Sequence, residues 1–366
     1  MWKRRKRILP SVPWGLRRKR VRHLGYSLVL LAFSCHDSVS LAQVRPNTLT
    51  STSTEQYVSE TRDRIVFDRD AIYSGPVPYW SQGYLISTKI ESYSPNTANV
   101  TLFGKTGTKS AEVAFWFPES ERVAVTSAAV THDGSILASG EADKADGTRA
   151  PFIALANFKG QVTNVIQTGN FYPRYVCGAP DGSVWAFGGM MWNTSKNEPS
   201  PGNILRRFDF QRGETASYIP RSTFSKYVEP DQLSFIRCSA DAVFVYSTAA
   251  SVLIQLQYTS EAPRVYSVST PPGLKVRGLA VTYSGDVYGG LHPKENNGTG
   301  GMYFLVFDEG ARSADWHPVK GTVGHFNDEG VGVVFKVWGA DGENLVVGRV
   351  GDAAERMALH WIKVHR

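Results

Sequence analysis

Hydrophobic residues in this chain fall in short runs rather than in helical stripes. From Tyr57 onward, runs rich in Val, Ile, Tyr, Phe and Thr alternate with clusters of Gly, Pro, Asn and Asp. No window sustains a helical period, so the pattern predicts strands throughout. One segment recurs: Ala128–Gly140 (AAVTHDGSILASG), Val176–Gly188 (VCGAPDGSVWAFG), Ile236–Thr248 (IRCSADAVFVYST), Leu279–Gly290 (LAVTYSGDVYGG) and Val337–Gly348 (VWGADGENLVVG). Each copy reads as an apolar strand, a tight turn with Asp-Gly or a near equivalent, and a second apolar strand. Glycine suits such a turn because it adopts positive φ without steric cost, and a two-residue hairpin turn is expected. The turn positions Gly134, Gly182, Ala242, Gly285 and Gly342 are spaced by 48, 60, 43 and 57 residues, room for four strands each.

Two more strand candidates follow each hairpin. They are Pro151–Phe158 with Val162–Thr168, Ile204–Phe210 with Thr215–Ile219, Val252–Tyr258 with Arg264–Val268, and Met302–Asp308 with Ala314–Val319. A hairpin followed by two further antiparallel strands is a propeller blade. The last copy stops after its third strand, Met357–Val364, and Arg64–Arg69 near the start is the natural donor of a fourth. A less regular first blade is expected from Tyr84–Ile90, Asn99–Gly104 and Glu112–Phe117. The fold class is therefore all-β, a β-propeller of six four-stranded blades with seven as the alternative count, closed by an N-terminal strand. With its Asp-Gly hairpins the chain resembles the secreted propellers of the NHL-like and YncE-like families over about 300 residues of architecture. That resemblance implies a fold and no particular activity.

Charge changes the picture once it is located. Of 40 basic and 33 acidic residues, ten basic and one acidic lie within residues 1–42, which leaves 30 and 32 for the rest. The basic balance belongs to the leader, and a nucleic-acid partner is not expected. An apolar run, Leu24–Phe33, follows the basic stretch, and Ser40-Leu41-Ala42 offers the small residues of a cleavage site. Residues 1–42 read as a signal peptide cut near Ala42, residues 43–56 as a polar lead-in and residues 57–366 as the propeller. The apolar run is too short for a stable membrane span, so an exported protein, periplasmic or extracellular, is expected as a monomer. Cleavage leaves Cys177 and Cys238, each just before corresponding turns of neighbouring repeats. A bridge is geometrically open to them, two separately buried thiols being the commoner outcome.

Propeller sites gather where inner strands begin and where second and third strands connect. Those connections are unequal here: Glu141–Ala150, Gly189–Gly202 and Leu291–Gly301 are long and Ala249–Ser251 short. Arginine recurs near the inner-strand starts, at Arg122, Arg174, Arg237 and Arg277. A ring of guanidinium groups would hold carboxylate, phosphate or sulfated groups, or would pair with acids such as Glu121, Glu229 and Asp231. Tyr172, Trp192, His292 and His325 add rings and imidazoles to the same rim, chemistry that suits a sugar. His325 with Asp328 and Glu329 lacks a second histidine at ligand spacing, and Glu141, Asp143 and Asp146 lack the alternation of a calcium loop, so neither a metal nor a cofactor is implied. No Gly-x-Ser-x-Gly elbow and no Gly-rich phosphate loop occurs. A noncatalytic module binding a protein, peptide or glycan is the first expectation. The alternatives are a propeller enzyme acting on a lactone, glycan or phosphate ester, and a structural envelope component.

Overall fold

The fold was analysed in a computed structural model, which describes residues 57–68, 79–89, 91–190, 192–193, 198–199, 202–223, 234–295, 298–326, 335–349 and 356–365. All of them lie in one compact unit, Leu49–Arg366. The proposed signal peptide, the lead-in, Asp328 and Glu329 lie outside the described residues, as do Glu229 and Asp231.

Among the described residues, strand pairing gives six antiparallel groups of four. Blade 1 is Tyr79–Ser81, Tyr84–Thr88, Val100–Phe103 and Lys109–Val113. Blade 2 is Ser120–Val130, Ile136–Lys144, Arg149–Ala156 and Val162–Gln167. Blade 3 is Phe171–Gly178, Val184–Met190, Asn203–Asp209 and Gly213–Pro220. Blade 4 is Phe235–Cys238, Ala242–Ser247, Val252–Gln257 and Arg264–Ser269. Blade 5 is Leu274–Val281, Val287–Pro293, Gly298–Asp308 and Ser313–Pro318. Blade 6 takes Phe335–Asp341, Asn344–Arg349 and Arg356–His365 from the end of the chain and Tyr57–Asp68 from its start.

Burial explains why the strands read as they do. Second and third strands lie between two neighbouring blades, so both faces are covered and the sequence runs continuously apolar, as in Ala242–Ser247, where every residue is buried. Outer strands such as Arg264–Ser269 have one face in water and alternate. Among the described residues, the buried apolar side chains form six clusters, one at each seam. Leu102 with Val125 joins blades 1 and 2, Ile153 with Phe171 blades 2 and 3, and Phe187 with Ile254 blades 3 and 4. Tyr246 with Trp316 joins blades 4 and 5, Phe304 with Val347 blades 5 and 6, and Trp80 with Trp361 closes blade 6 on blade 1. That last pair meets edge to face at 4.9 Å between ring centroids. A cluster at every seam is what a closed ring requires.

Several expectations change in detail. The inner strand of blade 1, Tyr79–Ser81, was not predicted: it is three residues long and turns at Gln82-Gly83, both at positive φ. The fourth strand of blade 1 lies at Lys109–Val113 rather than at Glu112–Phe117. The closing strand begins at Tyr57, earlier than Arg64. The Asp-Gly turns are not two-residue turns with positive φ throughout. In the first copy Thr131 and Ser135 bracket the loop, and only Gly134 is left-handed, at 85°. Asp133 instead accepts the Ser135 amide hydrogen on its carboxylate, and Asp181 does the same for Ser183, so the aspartate acts through its side chain.

Neighbouring blades also touch through backbone where no side chain intervenes. A Cβ on Gly278 would lie 2.1 Å from the Val337 carbonyl oxygen, and one on Gly339 2.5 Å from that of Trp80. Trp80 pairs in parallel with Gly339, which makes the last seam a hydrogen-bonded one. Cys177 of blade 3 and Cys238 of blade 4 are joined, so the separately buried thiols give way to a disulfide between inner strands.

Candidate functional site

The long connections are not loose loops. Strands Ile136–Lys144 and Arg149–Ala156 stay paired out to Asp143–Arg149, with a short turn beyond. Trp192–Asn193 pairs with Glu198–Pro199. Gly298–Gly300 pairs with Gly324–Phe326, and this places His325 opposite Thr299. The rim is therefore raised by hairpins. The side chains of Trp192 and His325 lie outside the described residues.

The four arginines do not form a ring. Arg122 stands eight residues before the last paired residue of its inner strand, Arg174 and Arg277 four, and Arg237 one. That spread covers roughly 20 Å of strand length. The spread is already in the sequence, where the arginines stand 12, 8, 5 and 8 residues before the turn positions Gly134, Gly182, Ala242 and Gly285, and bulges near Arg122, Arg174 and Arg277 shift the register locally.

Each arginine meets different chemistry. Arg122 is consumed by acids: its Nε donates to Asp143 at 2.8 Å, Nη1 to Glu91 at 2.5 Å and Nη2 to Glu141 at 3.2 Å. None of these is among the acids expected from the sequence, because Glu91 arrives on a short strand that pairs with the inner strand of blade 2. The hydrogen bond to Asp143 is the main cause of the raised Arg122 pKa. Burial pushes the Glu141 carboxyl above its usual range against the pull of Arg149. Burial, with the neighbouring Glu141 charge, also pushes the Tyr172 hydroxyl up to about 12.

Arg237 lies inside the channel. Its Nε donates to the Leu279 carbonyl at 3.1 Å and Nη1 to that of Ile236 at 2.7 Å. The guanidinium stacks on the Tyr79 ring, 4.5 Å from its centroid, and burial lowers its pKa. Blades 1 and 4 face each other across a ring of six, so this stack spans the channel. Tyr79 is anchored by a hydrogen bond from its hydroxyl to the Ala128 carbonyl of blade 2.

Arg174 and Arg277 are exposed at equivalent positions on blades 3 and 5. Arg174 lies over the Tyr172 ring at 5.1 Å. Neither has a carboxylate within ion-pair distance among the described residues. His292 accompanies Arg277. Burial, and then the charges of Lys336, Arg277 and Lys275, push its pKa from 6.5 down to about 3. The unfolded chain takes up this proton near pH 6.5 and the folded chain only near pH 3. Stability is then complete above the higher value and lost as pH falls through that window, at up to about 1.4 kcal/mol per unit. Thermal denaturation from pH 7 to 4 should show a shallower loss of Tm for His292→Gln than for the natural chain.

Asn99, in one of three glycosylation sequons, is buried. Its Nδ2 donates to Phe115 O at 3.0 Å, and its Oδ1 accepts from Phe115 N at 2.9 Å, so it is unavailable for a glycan in the folded chain. Among the described residues no cluster of three or more His, Cys, Asp or Glu is placed to hold a metal ion.

A concavity lies at the mouth opposite Arg174 and Arg277, among the Asp-Gly turns. It is a cavity of about 150 Å³ to which all six blades contribute, with Gln82, His132, Pro180, Ser239, Tyr283 and Asp341 on its wall. Sequence reasoning placed no site there. Each blade supplies only one to three of its residues, and the contributions of successive blades stand tens of residues apart.

No family model matches the chain, and neither does any curated protein. Its structural neighbours are β-propeller proteins. The PQQ-bound aldose sugar dehydrogenase of Streptomyces coelicolor is 13% identical, with a TM-score of 0.43 over 84% of this chain and 100% of that one. A chain of the mitotic checkpoint complex is 11% identical, with a TM-score of 0.42 over 92% and 99%. A protein of unknown function from Bacteroides caccae is 14% identical, with a TM-score of 0.41 over 67% and 83%.

Proposed function

We propose that the chain is an exported, noncatalytic binding module akin to the secreted NHL-like and YncE-like propellers. Its ligand carries carboxylate or sulfate groups and docks at the mouth facing away from the Asp-Gly turns. The carrying observation is the shared register of Arg174 and Arg277, both exposed and neither matched by a described carboxylate, where Arg122 is fully neutralised. Two guanidinium groups at one depth present planar donor forks to an anionic ligand. Lys275 and Lys336 add positive charge near His292 and Arg277. Export is supported by the basic and apolar leader and by the Cys177–Cys238 bridge, which suits an oxidising compartment.

The test is titration of the chain from Gln43 onward with oligogalacturonate, heparin oligosaccharide and poly-glutamate. At least one should bind with an affinity that falls steeply with salt, and Arg174→Ala and Arg277→Ala should each weaken it about tenfold. Failure to bind any of them, or indifference to both substitutions, would overturn the anionic-ligand reading. Turnover of a bound ligand would overturn the noncatalytic one.

A further inference from the structure

The turn-side cavity has the attributes of a built site, and we infer that it binds a single neutral pyranose through the polar edges of six turns and the face of Tyr283. Its size is the first argument. A protein cavity of about 150 Å³ accepts one six-membered ring. An apolar cavity of that volume takes an aromatic hydrocarbon, whereas this one is lined by Gln82 and His132, with Asp341 paired to Lys105 and the Ser239 hydroxyl bonded within its own turn. A ring that satisfies such a wall carries hydroxyl groups around its edge.

Charge is the second argument. Asp341 is the acid on the wall, and it is already matched by Lys105 Nζ at 2.9 Å and by the Trp361 indole N–H at 3.0 Å. A cationic ligand would have to displace Lys105. An anionic ligand would meet a carboxylate. The wall therefore favours a neutral, polar ligand.

Tyr283 is the third argument. The residue is 56% exposed, one of few large hydrophobic residues so placed among those described. Its backbone, by contrast, is pinned on both sides: Tyr283 O accepts from Ala240 N of the blade 4 turn at 3.3 Å, and Tyr283 N donates to Gly342 O of blade 6 at 3.1 Å. An exposed ring on an anchored backbone at a cavity mouth is a stacking platform for the C–H face of a sugar, at little ordering cost.

Preorganisation extends around the whole mouth. Blades 3 and 4 are tied by the disulfide. Blades 5 and 6 are tied by Ser284, whose Oγ donates to Glu343 at 2.8 Å, and blades 6 and 1 by the Lys105–Asp341 pair. Ser81 Oγ bridges blade 1 to Val130 of blade 2, accepting from its amide and donating to its carbonyl, each at 3.3 Å. The Val176 amide of blade 3 donates to Ser127 Oγ of blade 2 at 3.3 Å. No blade can withdraw from the cavity wall without breaking such a tie.

The experiment is saturation-transfer NMR on the chain from Gln43 onward with a panel of methyl pyranosides (glucose, galactose, mannose and N-acetylglucosamine) and with glucuronate as the charged counterpart. At least one neutral sugar should bind, with glucuronate weaker. Tyr283→Ala should weaken binding about tenfold with unchanged Tm. Gln82→Gly, which suits the left-handed backbone at that position, should weaken it as well. Binding should persist in ~0.5 M NaCl, which separates this site from the charged mouth opposite. No binding by any neutral sugar, binding unaffected by both substitutions, or binding abolished by salt would each overturn the inference.

Discussion

A chain that lacks residues 57–68 should fail to reach a soluble folded state. Those residues form the outer strand of blade 6, paired from Tyr57 opposite His365 to Asp68 opposite Arg356. Without them Arg356–His365 becomes a free edge of ten residues, and its Ala358, Leu359, Trp361 and Ile362 are core side chains. A long, flat, apolar edge templates pairing between chains. Gel filtration and circular dichroism should show soluble aggregate with a broadened or missing thermal transition. Addition of a synthetic peptide, YVSETRDRIVFD, should recover monomer by refilling the edge. A truncated chain that stays monomeric with the Tm of the full chain would show that closure contributes nothing.

Replacement of both Cys177 and Cys238 by Ser should cost about 4 kcal/mol, the loop-closure value for two residues 61 apart. The same loss should appear on adding reductant to the natural chain and should be absent in the double variant. Denaturant titration with and without dithiothreitol reads both. Equal midpoints in all four conditions would mean that the bridge does not stabilise the ring. The expected cost is large because the bridge is a covalent tie between neighbouring inner strands, where the other seams are held by packing, short parallel strand pairings, hydrogen bonds and the Lys105–Asp341 ion pair.

Most of the architecture was legible because the hairpin is a local device. An aspartate whose side chain caps the turn and a glycine that accepts positive φ recur at blade spacing, and the central strands announce themselves as unbroken apolar runs. Closure was legible by counting, since the last copy lacks a strand and the start of the chain offers one. The inner strand of blade 1 was not: three residues carry no periodicity, and Gln82 holds a left-handed conformation that the sequence gives no reason to expect. The site was less legible than the fold. Recurrence of arginine near the inner-strand starts suggested a ring, but unequal distances from the turns put the four at unequal depths, so they form none. The acids that neutralise Arg122 come from two strands, one of them only Glu91–Ser92. The turn-side cavity is invisible in sequence because no single segment supplies more than three of its twelve lining residues.

The Arg237–Tyr79 stack has a consequence for stiffness. A guanidinium from blade 4 lies on an aromatic ring from blade 1, and hydrogen bonds hold the first to Leu279 of blade 5 and the second to Ala128 of blade 2. Four blades are thus linked across the ring as well as around it. The contact works as a strut, and a push on one side is felt on the other.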